Sequence, residues 1–228
     1  MITGRRAEPL GSAALRLGRE TGGTVHALVN DVSEPKSAEA AMAEVENLLG
    51  TLDVLVLNAG GPPPGRILDV EDEHWQQAFE LLLLGPLRLA RLALPRMAAR
   101  GFGRVVFVTS TAVRQPQSDL ATSVVLRSAV TSAAKLLSRE FAAEGVTVNC
   151  VAPGATATER RREILDARAG RTGTAFEDLD AADLADIPAG RAGQPAEIGA
   201  AVAFLASADA GYINGTVLTV DGGRTETI

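Results

Sequence analysis

Cysteine, histidine and aromatic residues are scarce in this sequence, and each shortage excludes a class of protein. Cys150 is the one cysteine among 228 residues, so no disulfide can form within the chain, which suits a reducing cytoplasm. His26 and His74 lie far apart without other ligand residues at metal-site spacing, so we predict no metal site. Aromatic residues make up 4% and hydrophobic residues 46%, which is typical of helices packed on a sheet rather than of an all-β sandwich.

The sequence also lacks a basic excess and a long apolar run. Its formal net charge is −6, which disfavours nucleic acid as the main partner because phosphate binding needs a basic surface. The leucine run at residues 81–84 is far too short to span a bilayer, and no basic segment leads into an apolar run as in a signal peptide. We therefore expect a cytoplasmic protein that has neither nucleic acid nor a membrane as its partner.

Helical and strand patterns alternate along the whole chain. Helical spacing of apolar residues predicts helices at residues 9–22, 37–49, 73–100, 124–143 and 195–206, with residues 160–191 partly helical. Short apolar runs predict strands at residues 24–29, 54–57, 104–108, 146–151 and 215–220, and residues 1–6 look like the end of another strand. This alternation predicts an α/β fold, a three-layer, doubly wound parallel sheet of the Rossmann-like type, with residues 1–228 as a single domain.

Several strands are followed by distinctive turns. These turns are Asn30-Asp31-Val32, Asn58-Ala59-Gly60-Gly61, Thr109-Ser110, Pro153-Gly154 and Asp221-Gly222-Gly223. In this order, and at these distances, they resemble the short-chain dehydrogenase/reductase family over nearly the whole chain. In an open α/β sheet, ligands bind at the carboxyl ends of the strands, where most of these turns lie.

The resemblance implies a dinucleotide site. In the family, the position of Asp31 receives the adenine amino group and the position of Val32 packs beside the ring. The turn after the next strand approaches the adenosine ribose, and the segment after Pro153 holds the nicotinamide and its phosphate. The cofactor-binding residues implied in this way are Asp31, Val32, Asn58, Ala59, Gly60, Pro153, Gly154, Thr156 and Thr158.

The front of the family pattern is missing from this sequence. The family begins with a strand and a glycine-rich loop that binds the pyrophosphate through backbone N–H groups. Between Gly4 and Asp31 there is room for one helix and one strand, whereas the family has a further strand and helix. We interpret the fold as truncated at its N-terminus, either because the start codon was placed too late or because the unit was lost. We expect this chain to bind dinucleotide poorly or not at all, and to bind NADP, or NAD, if the unit precedes it.

Two adjacent arginines bear on the choice of cofactor. Arg5 and Arg6 close the first strand, where no acid is present to hold a ribose 2′-hydroxyl. Two guanidinium groups can hold a 2′-phosphate instead, which favours NADP over NAD. The alternative interpretation is a solvated basic pair before a helix.

The catalytic positions depart from the family, which uses Asn, Ser, Tyr and Lys. Ser110 matches the family's Ser, but Ser123 and Arg127 stand where Tyr and Lys are expected, and Leu82 stands at the Asn. A serine hydroxyl is a far weaker acid than a phenol, and arginine is a poor proton donor. We expect Ser110 to orient a substrate carbonyl, Arg127 to hold the ribose or an oxyanion, and Ser123 or a water to move the proton.

Three further features of the sequence lie outside the catalytic positions. Tyr212, the only tyrosine, falls where the family has a structural aromatic residue. For the basic run at residues 160–162 we favour a solvated helix face over recognition of an acidic substrate group. In the family, the helices at residues 81–94 and 124–143 pair between subunits, which implies a homodimer or homotetramer.

The function expected from the resemblance is NADP-linked oxidation or reduction of a small carbonyl or hydroxyl compound. Two alternatives remain open. The first is a catalytically silent fold that serves as a sensor or a partner subunit. The second is non-redox chemistry such as dehydration or isomerisation.

Overall fold

The computed structural model of the chain describes residues 1–227, which form an α/β fold. The strands are β1 Ile2–Gly4, β2 Ala27–Val29, β3 Val54–Leu57, β4 Gly103–Val108, β5 Val146–Pro153 and β6 Val217–Val220. The helices are α1 Ala7–Thr21, α2 Ser37–Leu49, α3 Asp72–Phe79, α4 Gly85–Ala99, α5 Ala121–Glu140, α6 Glu159–Thr172, α7 Phe176–Ala185 and α8 Pro195–Ala206. This confirms the predicted alternation of helices and strands.

The strands are parallel, but they form two separate sheets. β1 pairs with β2, and a second sheet runs in the order β3-β4-β5-β6. Among the described residues, β1 and β3 are not hydrogen bonded to each other, so each has one edge without a strand partner. The division falls between the N-terminal strand pair and the rest of the fold, at the position where the sequence predicts a missing strand.

Helices cover the four-stranded sheet on both faces. Along β4, Val105 and Phe107 point into a core formed with α2, α4 and α5, whereas Val106 points into a core formed with α8. Because both faces are covered, β4 and β5 are buried almost throughout, including the polar Thr147 and Asn149 of β5. β3 lacks a neighbour on one side, and its Val54 and Val56 are 39% and 44% exposed.

The two sheets are held together by helix packing and by ion pairs. Met42 of α2 belongs to the core that also contains Leu94 of α4. Glu46 of α2 lies 2.9 Å from Arg96 of α4. At the start of α4 a Cβ atom on residue 85 would lie 2.1 Å from the Val32 carbonyl oxygen, so only glycine allows this approach. Side-chain and helix contacts therefore replace the strand pairing that is absent between β1 and β3.

Several predicted elements differ from the structure; for example, the helix predicted over residues 124–143 is Ala121–Glu140, and the strand predicted over residues 215–220 is Val217–Val220. The helix predicted over residues 73–100 is interrupted by the π-helical turn Glu80–Leu84, which separates α3 from α4. Pro86 lies in the first turn of α4, where a missing backbone N–H costs little. β2 is shorter than predicted and covers only Ala27–Val29, because residues 24–26 make no strand pairing.

Candidate active site

Arg127 is the centre of the candidate active site, at the carboxyl ends of β3 and β4. Its guanidinium donates three hydrogen bonds, from Nη1 to the Val108 carbonyl (2.8 Å), from Nη2 to the Ala59 carbonyl (3.3 Å) and from Nε to Ser123 Oγ (3.2 Å). Ser123 and Arg127 stand one turn apart on α5 and therefore share a face. The structure thus brings three of the predicted site residues into direct contact.

A second guanidinium lies beside this centre. Arg160, in the first turn of α6, donates to the Pro62 carbonyl and packs on Gly61, where a Cβ atom would lie 2.6 Å from Arg160 Nε. Burial, and then the positive charge of Arg160, lower the pKa of Arg127 to about 10. Arg127 therefore remains charged at neutral pH, whereas the charge of Arg160 is paired with Glu163 at 3.2 Å.

The hydroxyl of Ser110 accepts one local hydrogen bond and donates none to the described residues. Ser110 follows β4 and caps the short 3₁₀ turn Thr111–Val113, because its Oγ accepts the backbone N–H of Ala112 at 3.1 Å. Its hydroxyl hydrogen makes no hydrogen bond among the described residues. That hydrogen is available to a carbonyl oxygen placed in the site.

The position of the family's Asn is apolar. Leu82 is 2% exposed and packs with Ala78 and Leu126, and Ala59 and Trp75 border the same cluster. It lies inside the π-helical turn, a distortion that is often found at functional sites. The local backbone is therefore unusual at this position, but its side chain cannot hold a water in a proton relay.

The adenine end of the predicted dinucleotide site lies after β2. The Asp31 carboxylate accepts hydrogen bonds from the Ser33 hydroxyl (2.6 Å) and backbone N–H (3.0 Å). These bonds outweigh burial and, with a smaller contribution from the charge of Arg5, lower the pKa of Asp31. Arg5 therefore lies close to Asp31, whereas Arg6 is mostly exposed and 4.0 Å from Glu159 of α6.

The turn after β3 is open to solvent. Asn58 and Gly60 are exposed, while Ala59 is half-buried and its carbonyl is taken by Arg127. A Cβ atom on residue 60 would meet nothing within 4 Å. No neighbour within the chain therefore requires glycine there, and the space above it is large enough for a ligand to approach the backbone.

The segment after β5 is constrained by the fold itself. A Cβ atom on residue 154 would lie 2.6 Å from the Cβ atom of Asp221, so the Pro153-Gly154 turn needs glycine for packing. Thr156 Oγ1 donates to the Gly154 carbonyl at 3.1 Å. Thr158 begins α6 as its cap, accepting the backbone N–H of Arg161 at 3.4 Å. These contacts hold the start of α6 beside the site.

The residues predicted for the two ends of a dinucleotide lie along this edge of the sheet, whereas its centre has no predicted partner. Asp31 and Arg5 are those predicted for the adenine end, the open turn at Gly60 lies between, and Arg127 is the residue predicted for the nicotinamide end. No glycine-rich loop is present within residues 1–227, and the strand that would carry it corresponds to the break between β1 and β3. The described residues therefore offer no cradle for the pyrophosphate.

Three side chains outside the predicted site are placed differently from expectation. Arg160 and Arg161 do not form a solvated helix face, since Arg160 binds the turn after β3 and Arg161 pairs with Asp180 and with Asp183 at 2.8 Å. Arg162 is exposed, as predicted. Tyr212 is fully exposed rather than packed as a structural aromatic residue. Within the chain Arg160 thus belongs to the site, although only its position in a basic run marks it in the sequence.

Further predictions concern the reactivity of the cysteine thiol, metal binding and membrane-spanning helices. Cys150 is buried in β5, and burial raises the pKa of its thiol to about 12, so the thiol is unreactive as predicted. Within residues 1–227 no group of three or more His, Cys, Asp or Glu side chains is placed to hold a metal ion. None of the helices in that range is long and apolar enough to cross a membrane.

The sequence is similar to bacterial reductases over most of its length. The family model described as enoyl-(acyl carrier protein) reductase matches residues 2–225. The chain is 33% identical to the 3-oxoacyl-[acyl-carrier-protein] reductase FabG of Vibrio cholerae serotype O1, covering 98% of this chain and 89% of that protein. It is 32% identical to FabG of Escherichia coli K12, covering 97% of this chain and 88% of that protein.

Solved structures match the fold closely. The NADPH-dependent reductase YwfH, involved in bacilysin biosynthesis, has a TM-score of 0.93 at 25% identity, covering 100% of this chain and 88% of that chain. A variant of actinorhodin polyketide ketoreductase solved with NADPH has a TM-score of 0.93 at 31% identity, covering 99% of this chain and 87% of that chain. L-sorbose reductase from Gluconobacter frateurii, complexed with NADPH and L-sorbose, has a TM-score of 0.91 at 29% identity, covering 99% of this chain and 86% of that chain. Together with the family match, these similarities show that the chain belongs to the short-chain dehydrogenase/reductase family of NAD(P)-dependent oxidoreductases.

Proposed function

We propose that this member of the family is an NADP-linked reductase of a small carbonyl compound in which Arg127 replaces the usual lysine. The observation that supports this most is the contact of Arg127 with Ser123 and with the carboxyl ends of β3 and β4. Ligands of open α/β sheets bind at this edge, so the guanidinium is placed where a ribose or an oxyanion would lie. Three structural neighbours are NADPH-dependent or were solved with NADPH, which supports NADPH as the cofactor of this chain.

Each site residue has a role set by its chemistry. When bound, NADPH supplies a hydride to the substrate carbonyl carbon. Ser110 orients the carbonyl oxygen through its free hydroxyl hydrogen. Arg127 holds the ribose hydroxyls, or stabilises the developing oxyanion, as a permanently charged donor. Ser123, through a water, delivers the proton to that oxygen. Since neither serine approaches the acidity of a phenol, we expect the chemical step to be slow.

The arginines after β1 support the choice of NADP. Arg5 lies close enough to Asp31 for its charge to affect the carboxylate, so it borders the adenine end of the site. Arg6 is 76% exposed, and its contact with Glu159 is long at 4.0 Å. A solvent-exposed pair at that distance contributes little, so Arg6 remains available to a 2′-phosphate.

Tight binding is proposed to require a further segment. We define the extended chain as residues 1–228 preceded by one strand, a glycine-rich loop and one helix, as the family resemblance implies. In the extended chain the added strand pairs with the free edges of β1 and β3, and the helix N-terminus binds the pyrophosphate.

Substitution of Arg127 tests the proposed anchor. In the extended chain, we expect Arg127→Leu to weaken NADPH binding about tenfold, because a charge-assisted hydrogen bond contributes roughly 1.5–3 kcal/mol. Arg127→Lys keeps the charge and should retain most of the affinity. Calorimetric titration of NADPH into each variant measures the effect, after circular dichroism has shown that both are folded. Equal affinity of the Leu variant and the unchanged protein would contradict the assignment.

A catalytically silent sensor or partner subunit is the second candidate. It is favoured by Leu82, which makes the relay position apolar, and by the absence of a phenol at Ser123. Hydride transfer from NADPH to a panel of ketones by the extended chain, at high protein concentration, distinguishes the two candidates. Measurable nucleotide binding without turnover would support the silent fold and contradict the reductase.

An oligomer formed through α5 is also proposed. Val125 and Leu136 lie three turns apart on α5 and are 43% and 62% exposed, and Phe79 at the end of α3 is 40% exposed. Exposed apolar side chains on one helix face are typical of an interface between subunits. We also propose that the protein lies in the cytoplasm, where its single thiol stays reduced.

The oligomer is tested by a charge placed on this face. We expect Leu136→Glu to lower the molar mass measured by light scattering from that of a homodimer or homotetramer toward that of one chain, because burying an unpaired carboxylate is costly. Leu15→Glu on α1, where Leu15 is 66% exposed, is the matched control and should leave the mass unchanged. A monomeric unchanged protein, or the same loss in both variants, would contradict the interface.

A further inference from the structure

A cleft of about 620 Å³ lies between the loop that precedes α5 and the carboxyl-terminal half of α6, beside the residues predicted for the dinucleotide at the same edge of the sheet. It is lined by four arginines and a single acid. The lining residues are Arg66, Pro116, Gln117, Ser118, Asp119, Arg168, Arg171, Thr172, Leu179 and Arg224. None of them is among the residues assigned to the dinucleotide or to the reaction.

The one acid of the cleft is shared between two guanidiniums. Asp119 is buried and accepts two hydrogen bonds from Arg168, from Nε (2.6 Å) and Nη2 (3.0 Å), and one from Arg171 Nη2 (3.0 Å). Burial alone would raise the pKa of Asp119, but the bonds and charge of the arginines, Arg168 above all, lower it. One carboxylate cannot neutralise two guanidiniums, so this triad carries a surplus positive charge.

The remaining two arginines of the cleft differ in whether ion pairs within the chain balance their charge. Arg224 pairs with Asp183 at 2.7 Å and with Asp186 at 3.4 Å, so its charge is balanced within the fold. Arg66 is exposed, and it forms no ion pair with any other residue in the range 1–227. Arg66 therefore offers N–H donors at the cleft that no carboxylate of the described chain accepts. The same holds for the N–H groups of Arg171 that do not bind Asp119.

The wall that carries Asp119 is also part of the active-site scaffold. The loop at residues 114–120 joins Ser110 to the helix that holds Ser123. Gly65 is fixed to the end of this loop by two backbone bonds, one from its N–H to the Asp119 carbonyl (2.8 Å) and one from the Ala121 N–H to its own carbonyl (3.1 Å). These bonds place Arg66 at the start of α5, beside the cleft, and they make its position part of the fold.

We propose that this cleft is a binding site for an oxyanion, a carboxylate or phosphate group of a small molecule, held by Arg66 and Arg171. Planar guanidiniums bind both kinds of group through paired, charge-assisted hydrogen bonds. The adjacent, carboxylate-bound Arg168 adds positive potential and fixes Arg171 in place through Asp119. The site is formed without a dinucleotide, so it is independent of whether the chain catalyses a reduction.

Binding of two simple anions to the 228-residue chain tests the site. Inorganic phosphate and succinate are titrated separately, in the absence of dinucleotide and at low ionic strength, with amide NMR shifts or calorimetry as the readout. We expect saturable binding of at least one probe, and the tighter of the two identifies the group as a phosphate or a carboxylate. Arg66→Gln and Arg171→Gln should each weaken that binding about tenfold, the loss of a charge-assisted bond.

A matched variant separates a built site from general charge. Arg139→Gln removes one positive charge from an exposed position at the end of α5, away from the cleft. It should leave binding unchanged, and Arg66→Gln, which removes no contact of the fold, should be folded by circular dichroism. Absence of saturable binding for both probes, or an equal loss in Arg139→Gln, would overturn the proposal. Neither result depends on reductase activity.

Discussion

Replacing Ser123 with Tyr and Arg127 with Lys in the extended chain should raise NADPH-dependent reduction of a small ketone by about 100-fold or more. Positioned general acids contribute roughly 10²–10⁴-fold, and a lysine beside a phenol favours the proton transfer that a serine hydroxyl cannot perform efficiently. The two positions share a face of α5, and the residue now at 127 already contacts the one at 123. Initial rates of NADPH oxidation with each variant measure the gain.

The control for this double substitution keeps the ring and removes the hydroxyl. Ser123→Phe combined with Arg127→Lys has the same shape at the site but no acidic group. Its rate should stay near that of the unchanged extended chain. If the Tyr variant is no faster than the Phe variant, then the carbonyl is not presented to this face of α5, and the proposed reductase site is wrong.

Adding the N-terminal strand, loop and helix should tighten NADPH binding about 100-fold and raise the melting temperature. The added strand would pair with β1 on one side and β3 on the other, covering Val54 and Val56, which are 39% and 44% exposed. Two further charge-assisted bonds from backbone N–H groups to the pyrophosphate would account for an affinity change of this size. Titration and thermal unfolding of the two chains, side by side, measure both effects.

Substitution of the loop glycines separates the two consequences of the extension. An extended chain with alanines in place of those glycines keeps the strand and the helix but blocks the close approach of backbone to phosphate. It should keep the gain in melting temperature and lose most of the gain in affinity. Equal and tight affinity of the 228-residue chain and the extended chain would show that the break between β1 and β3 is no obstacle to the dinucleotide.

The break in the sheet could be predicted because it depends on spacing along the chain. The distance from Gly4 to Asp31 leaves room for one helix and one strand, and the structure has α1 and β2 there. Val54 and Val56, which share one face of the edge strand β3, are partly exposed, whereas Leu55 and Leu57 on its other face pack in the core. The family resemblance supplies the element order with which this distance is compared, so the prediction of the break needs no knowledge of side-chain contacts.

The position of Arg160 could not be predicted, because it depends on how α6 docks. Its bond to the Pro62 carbonyl and its contact with Gly61 join segments far apart in sequence. In the sequence, Arg160 is one of three adjacent arginines, and nothing distinguishes it from Arg162, which is exposed. The same holds for the pairing of Asp119 with Arg168, which joins a loop and a helix that periodicity treats separately.

The π-helical turn shows a different limit. Apolar spacing predicts one helix through Leu82, because a single turn with i→i+5 hydrogen bonds leaves the helical spacing on either side of it unchanged. Pro86 indicates a disturbance nearby, but it lies in the first turn of α4 and so does not break that helix. Pro95 lies inside α4 without ending it, so the prolines do not by themselves locate the interruption, which depends on packing.

Single-turnover oxidation of NADPH by the 228-residue chain addresses most directly the claim that the reaction needs an acidic group beside a firmly held dinucleotide. The chain would be mixed at high concentration with NADPH and a panel of small ketones, and both nicotinamide absorbance and alcohol formation would be followed. We predict no oxidation above the rate without protein. Rapid oxidation with one alcohol formed per NADPH consumed would contradict that claim, because Ser rather than Tyr stands at position 123 and no glycine-rich loop is present in this sequence.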